Sequence, residues 1–338
     1  MSRVAVIGAG AWGTALAMAL ARKGGHTIRL WANEPEVVES IAARRVNERF
    51  LPGFELSASI EPTHDLAAAL AGAEIVVSVM PSQHCRALFE RMAPQLDPQT
   101  LLVSCTKGLE NGTLLRMSEV ISDALRARKF TPRIGALSGP SFAKEVARGD
   151  PTAVTAASDD TDLARAVQNA FNSSRFRVYT NDDVIGVELG GALKNIVAIA
   201  AGVCDGLGLG HNSVAALITR GLAEIARLVV ACGGRLDTMA GLAGLGDLVL
   251  TCTGDLSRNR SVGVELGKGR MLSDIIGGMH GAVAEGVFTT KAAVGLARKK
   301  NVEMPITEQM FAILEQGKAP QRAIEELMTR AARSEIHS

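Results

Sequence analysis

Apolar positions along the chain change their spacing near residue 180. Before it come short runs rich in β-branched and aliphatic residues: VAVIG from Val4, TIRLWA from Thr27, EIVVSVM from Glu74 and TLLVSC from Thr100. Each leads into a stretch compatible with a helix, beginning with WGTALAMALARKG. That alternation predicts a parallel sheet covered by helices on both faces. RIGALSGPSFAKEV, TAVTAAS and RFRVYT supply further strands. Beyond Asn181 a helical period takes over, through 183–203, 212–232, 258–268, 287–299 and 305–333, the last broken near Gly317 and Pro320. The expected fold class is α/β, with a doubly wound parallel sheet and extra strands over residues 1–180 and an all-α domain over 181–338. Neither an internal repeat nor a low-complexity linker separates the two, so a cleft at their junction is the expected place for chemistry.

The first strand runs into GAGAWG, whose Gly8, Gly10 and Gly13 match GxGxxG and open a helix. In that context the pattern is the fingerprint of a dinucleotide site of Rossmann type. Gly8 permits the tight turn, Gly10 lets the backbone approach a pyrophosphate, and Gly13 allows the helix to pack on the strand. Free N–H groups at the helix start then hold the phosphates. A ribose-binding carboxylate is expected about 20 residues further on. The second strand ends instead in LWANEPE, with Ala32 and Asn33 at that place and Glu34 just past it. Without a carboxylate to repel a 2′-phosphate, NADP, with NADPH preferred and NAD tolerated, is the expected coenzyme. Arg44, Arg45 and Arg49 lie downstream, either reaching that phosphate or forming a solvated helix face.

Composition narrows the function classes. The 338 residues are 47% hydrophobic and 21% charged with a net charge of +1, and no block of like charges occurs, so nucleic acid is not an expected partner. MSRVAVIGAG enters a strand at once and lacks the plan of a secretory signal, which points to the cytoplasm. The apolar run around Lys194 reads as too short for a membrane span, being interrupted by Lys194 and closed by Asp205. The five cysteines (Cys85, Cys105, Cys204, Cys232 and Cys252) form no CxxC pair, and the six histidines show no ligand spacing. No metal is expected, and buried, unreactive thiols fit a reducing compartment.

Candidate chemistry begins with GGALKNIVAIAA, residues 190–201, which sets an ammonium group on an apolar helix. At three- and four-residue spacing Lys194 has only Gly190, Gly191, Val197 and Ala198 for neighbours, so desolvation lowers its pKa and suits it to proton transfer. Lys107 in SCTKG ends a strand at the carboxyl edge, where doubly wound sheets bind ligands. SGPSFAKE is a Gly-Pro turn into a helix start. A glycine-rich loop, GLAGLG, precedes Asp247, and Ser257, Arg258 and Asn259 then stand at a helix N-terminus. A hydroxyl, a guanidinium and an amide beside free backbone donors suit a phosphate. Asn195 braces the Lys194 helix, and Arg220 and Glu224, four apart on one helix, are read as structural.

With GAGAWGTALA, VMPSQ, SCTKGLE, LSGPSFAKE, ELGGALKNIVAIAAG, AALITRGLAE, GLAGLGDLVLTC, SRNRSVG and VAEGV taken together, the chain resembles bacterial-type NAD(P)-dependent glycerol-3-phosphate dehydrogenase over nearly its whole length. The resemblance implies reversible reduction of dihydroxyacetone phosphate to sn-glycerol 3-phosphate for glycerophospholipid synthesis, with a homodimer as the family expectation. It implies Lys194 as proton donor and acceptor. It implies Lys107, Gly139, Ser141, Lys194, Asp247, Ser257, Arg258 and Asn259 as the substrate set. The implied coenzyme set is Gly8, Gly10, Ala11, Trp12, Gly13, Asn33, Lys107, Ala143, Arg258, Val283 and Glu285. Ala11 departs from the serine common there and removes one hydroxyl from the phosphate turn, and Asn33 replaces a position that is often basic. Two alternatives stand beside this one: a β-hydroxyacid or ketopantoate-type reductase, and a non-catalytic dinucleotide-binding redox sensor.

Overall fold

Ten strands and the helices between them are seen in a computed structural model that describes residues 2–128, 130–279, 283–332, 334 and 335. The strands are β1 (Ser2–Ile7), β2 (His26–Trp31), β3 (Val46–Asn47), β4 (Leu51–Glu55), β5 (Ile60–Thr63), β6 (Ile75–Ser78), β7 (Leu101–Ser104), β8 (Arg133–Ser138), β9 (Thr152–Ala157) and β10 (Phe176–Asn181). Eight of them form one sheet in the order β10-β9-β8-β7-β6-β1-β2-β5. All neighbours are parallel except β8 and β9. The chain leaves β1 towards β2 and β5 and then crosses to β6 on the other side. The carboxyl end of β1 is therefore a topological switch point, where open α/β sheets bind ligands. β1 is buried on both faces: Val4 and Val6 join the core under helix Ala11–Lys23, while Ala5 and Ile7 join the core on the opposite face.

Two features of this lobe escape the hydrophobic pattern. β5 carries Pro62 and pairs only with β2, an edge position where a missing N–H is tolerated. β3 and β4 form a small separate antiparallel pair whose sequence has no alternation.

β10 ends at Asn181, and helix Val184–Gly206 begins the helical part. Asp183 caps this helix, its Oδ1 accepting from Gly186 N at 2.9 Å. The helix is buried all round, as an apolar helix at the centre of a core must be. It is long and apolar enough to cross a membrane, contrary to the expectation from sequence, because one lysine does not outweigh its small apolar residues. The protein itself wraps 94% of its most apolar window.

Helix Arg258–Gly267 packs on it backbone to backbone. A Cβ at Gly263 would stand 1.9 Å from Ile199 O, and one at Gly202 would stand 2.0 Å from Arg260 O. The remaining long helices are His211–Ala231, Glu285–Lys300, Pro305–Gln316 and Pro320–Met328. The expected break after 316 falls at Gly317, which has φ 67°. The glycine-rich stretch before Asp247 is not a loop: Leu242–Gly246 coils as a π-helical turn around Met239, whose backbone O would lie 2.3 Å from a Cβ at Gly244.

Glu224 does not pair with Arg220. It is 3% exposed and accepts from Ile306 N at 2.7 Å, Thr307 N at 3.2 Å and Thr307 Oγ1 at 3.3 Å, fastening helix His211–Ala231 to the start of Pro305–Gln316. Burial outweighs these donors and pushes its pKa up from 4.5 to about 7. The unfolded chain thus ionises first as pH rises, so the stability this group contributes is full below pH 4.5 and gone above about 7. Relative to Glu224→Gln, the wild type should lose roughly 3 kcal/mol of unfolding free energy across that window. Urea titrations of both proteins at pH 4.5 and 7.5 measure it, and a constant difference refutes the shift.

Candidate active site

Three segments converge on helix Val184–Gly206 at the sheet's carboxyl edge. Small residues on that helix let them approach. A Cβ at Gly191 would lie 2.5 Å from Ser138 Oγ and 3.8 Å from Lys107 Cγ, and one at Gly190 would lie 2.8 Å from Ala243 O. The ends of β7 and β8 and the π-helical turn therefore sit directly against the turn preceding Lys194.

Lys194 is 6% exposed, and its Nζ donates to Asp247 Oδ1 at 2.8 Å and to Thr251 Oγ1 at 2.6 Å. Lys107 Nζ donates to the other oxygen, Asp247 Oδ2, at 2.6 Å and to Gly139 O at 3.1 Å. Asp247 is 1% exposed. Two ammonium groups on one carboxylate leave the centre with an excess positive charge, which favours an oxygen anion beside it. Burial lowers the Lys194 pKa from 10.5 to about 8; Asp247 opposes that shift and the like charge of Lys107 adds to it.

Thr251 is the residue that sequence reading missed. Its hydroxyl donates to Asp247 O at 2.6 Å, which leaves its lone pairs facing Lys194. The signal was present in DLVLT, where four-residue spacing sets Asp247 and Thr251 on one helix face.

The SRN stretch is only partly open. Ser257 caps helix Arg258–Gly267 and accepts from Arg260 N at 3.2 Å. The Asn259 amide is engaged at both ends, donating to Asn195 Oδ1 at 2.9 Å and accepting from Gly286 N at 2.9 Å. Arg258 differs: it is exposed, and its guanidinium makes no hydrogen bond or ion pair to a described residue, although Glu285 acts on it electrostatically. Ser141 Oγ donates to Gly139 O at 2.8 Å, and Gly139 has φ 142° with Val154 Cα 2.9 Å from where a Cβ would sit.

The dinucleotide turn fits a pyrophosphate. Gly8 has φ 118°, and a Cβ there would stand 2.3 Å from Val79 O; one at Gly13 would stand 1.9 Å from Gly8 O. Gly10 faces open space, the cradle a phosphate requires. Trp12 Nε1 is sealed from solvent without a partner beside the same turn. Ala11 opens the helix, and Ala143 opens helix Ala143–Arg148 alongside it, with Arg22 donating to Val146 O at 2.7 Å. Asn33 is exposed just past β2. The three downstream arginines are occupied: Arg45 on Leu56, Ser57 and Ile60 carbonyls, Arg49 on Glu36, and Arg44 on Ser40 and Glu48. Val283 is half-buried just ahead of Glu285, whose carboxylate accepts from Ser82.

Among the described residues no group of three His, Cys, Asp or Glu could hold a metal. The cysteines carry no disulfide, and burial raises every thiol pKa, to about 11 at Cys204 and about 12 at Cys85 and Cys252. None has the electropositive, accessible setting of a nucleophile.

Family models for the N-terminus and the C-terminus of NAD-dependent glycerol-3-phosphate dehydrogenase match residues 3–164 and 183–325. The chain belongs to the NAD-dependent glycerol-3-phosphate dehydrogenase family. A protein of Koribacter versatilis named glycerol-3-phosphate dehydrogenase (NAD(P)+) is 68% identical over 336 residues, covering 99% of each chain. The crystal structure of glycerol-3-phosphate dehydrogenase from Coxiella burnetii is 44% identical with a TM-score of 0.92, covering 97% of this chain and 99% of that one. A ketopantoate reductase from Ralstonia eutropha, at 19% identity and TM-score 0.59 over 95% of this chain and 99% of its own, shares the fold. That likeness speaks for architecture alone.

Proposed function

We propose that this protein catalyses the reversible NAD(P)H-dependent reduction of dihydroxyacetone phosphate to sn-glycerol 3-phosphate. The observation that carries the reading is the buried Lys107–Asp247–Lys194 centre next to an uncommitted arginine at a helix start. When bound, the reduced coenzyme would supply the hydride that the carbonyl carbon takes up. Lys194 donates its proton to the carbonyl oxygen as charge develops there and takes it back in the reverse direction. Asp247 aims the lysine and keeps its ammonium form accessible, Thr251 takes a second of its N–H groups, and Lys107 balances the other carboxylate oxygen. Arg258 and the unbonded N–H groups of Arg258 and Asn259 grip the phosphate, while Ser257 and the Asn259 side chain hold that helix start in shape.

The Gly8–Gly13 turn, Trp12 and Ala143 hold the coenzyme's phosphate end, and Val283 and Glu285 border it on the helical side. NADPH is the preferred form, since exposed Asn33 brings no carboxylate to the ribose. On this reading the chain divides into a nucleotide-binding domain (1–180) and a helical substrate domain (181–338), at a boundary that falls at the last residue of β10. A cytoplasmic homodimer feeding glycerophospholipid synthesis completes the reading.

Replacing Arg258 by Ala tests it. The Michaelis constant for dihydroxyacetone phosphate should rise roughly 30- to 100-fold, the worth of one or two charge-assisted hydrogen bonds. Turnover of unphosphorylated dihydroxyacetone should be nearly untouched. Equal losses on both substrates would remove Arg258 from the phosphate and leave the assignment of substrate unsupported.

A further inference from the structure

Glu285 is the first residue of helix Glu285–Lys300, yet its carboxylate turns away from its own helix. It reaches the loop after β6, where Oε1 accepts from Ser82 N at 2.9 Å and Oε2 from Ser82 Oγ at 2.6 Å. Ser82 is wholly buried. Its oxygen also accepts from Gln83 Nε2 at 3.1 Å, and that amide is anchored to Leu109 O at 2.8 Å and to Asn111 N at 3.1 Å. Gly108 closes the pocket: a Cβ there would lie 2.6 Å from Ser82 Oγ and 3.0 Å from Glu285 Oε2. The loops after β6 and β7 thus clamp the carboxylate from the side of the sheet.

Glu285 is also within electrostatic range of Arg258, without forming an ion pair with it. Gly286, next to Glu285, is tied to Asn259, next to Arg258, so the backbones of the two residues are held at a fixed separation. A half-buried carboxylate near an unpaired guanidinium closes onto it unless stronger donors hold it back. Ser82 supplies those donors.

We propose that Ser82 is a positioning residue for substrate binding: by clamping the Glu285 carboxylate it keeps the Arg258 guanidinium free for the substrate phosphate. This rests on the reading of Arg258 as the phosphate ligand. Without the hydroxyl, Glu285 keeps only one backbone donor, swings to Arg258, and competes with the incoming phosphate. Glutamine at 285 carries no charge and does not compete.

The experiment is a set of four proteins assayed at saturating NADPH: wild type, Ser82→Ala, Glu285→Gln and the double variant. Ser82→Ala should raise the Michaelis constant for dihydroxyacetone phosphate about three- to fivefold, the worth of one partly exposed ion pair. The double variant should return it to within about twofold of Glu285→Gln alone. A general loosening of the loop would not be repaired by changing Glu285, so this suppression separates positioning from structure. An unchanged constant in Ser82→Ala, or a rise that persists in the double variant, overturns the proposal. If Arg258→Ala alone raises the constant while Ser82→Ala does not, the phosphate assignment survives and only the role of Ser82 falls.

Discussion

Lys194→Ala should lower turnover by at least about 10²-fold and up to about 10⁴-fold, the range for losing a positioned proton-transfer group. Coenzyme affinity should stay nearly unchanged, because the glycine turn is not touched by Lys194. The variant should fold: Asp247 keeps Lys107 at 2.6 Å, so removing one ammonium leaves no uncompensated buried charge. The pH dependence gives a second readout. With the Lys194 pKa at about 8, ketone reduction needs the ammonium and should decline above pH 8. Oxidation of the alcohol needs the neutral amine and should rise through the same pH. Both limbs should vanish in Lys194→Ala. Stopped-flow traces of NADPH oxidation in the forward direction and of NADP+ reduction in the reverse, across about pH 6.5 to 9.5, would measure this. Full turnover in the variant, or an unchanged limb, refutes proton transfer by Lys194.

The partner that makes this lysine usable could be only half read from the chain. Lys194, Asp247 and Lys107 each stood out as charges in small apolar or glycine-rich surroundings. Sequence does not say which oxygen meets which ammonium, and it presents Lys194 with apolar neighbours only. The structure supplies Asp247 and Thr251 from a segment more than 50 residues away. SRN was legible as a polar helix start, but its three side chains divide between capping, bracing and an open arginine, because Asn259 meets Asn195 only once two helices have crossed. The sheet was legible wherever a strand is buried on both faces. β5 and the β3–β4 pair were not: β5 is four residues long and carries Pro62, and β3 and β4 show no alternation, whereas the edge strand β10 was legible because its buried and exposed positions alternate. GLAGLG read as a loop because glycine is a poor helix former; the requirement to wrap Met239 overrides that propensity.

Gly263→Ala should be among the most destabilising single-methyl changes in the molecule. In an unobstructed helix, alanine for glycine stabilises by about 1 kcal/mol. Here the added methyl would start 1.9 Å from Ile199 O and 2.8 Å from its carbonyl carbon, both rigid backbone atoms. The helices must then part, giving up contacts along Gly202, Gly206 and Gly267, and overpacking of this kind costs roughly 3 kcal/mol or more. The clash wins and the net sign is destabilising. Because Asn259 rides on the displaced helix, its bonds to Asn195 and Gly286 lengthen, and the Michaelis constant for dihydroxyacetone phosphate should rise with the loss of stability. Gly277→Ala is the control: it closes a short helix and nothing stands within 4 Å of its Cβ, so its effect should lie between neutral and about 1 kcal/mol stabilising. Urea denaturation of both variants decides the matter. If Gly263→Ala proved as stable as Gly277→Ala, the backbone-to-backbone crossing that sets the Arg258 helix against the Lys194 helix would not exist in solution.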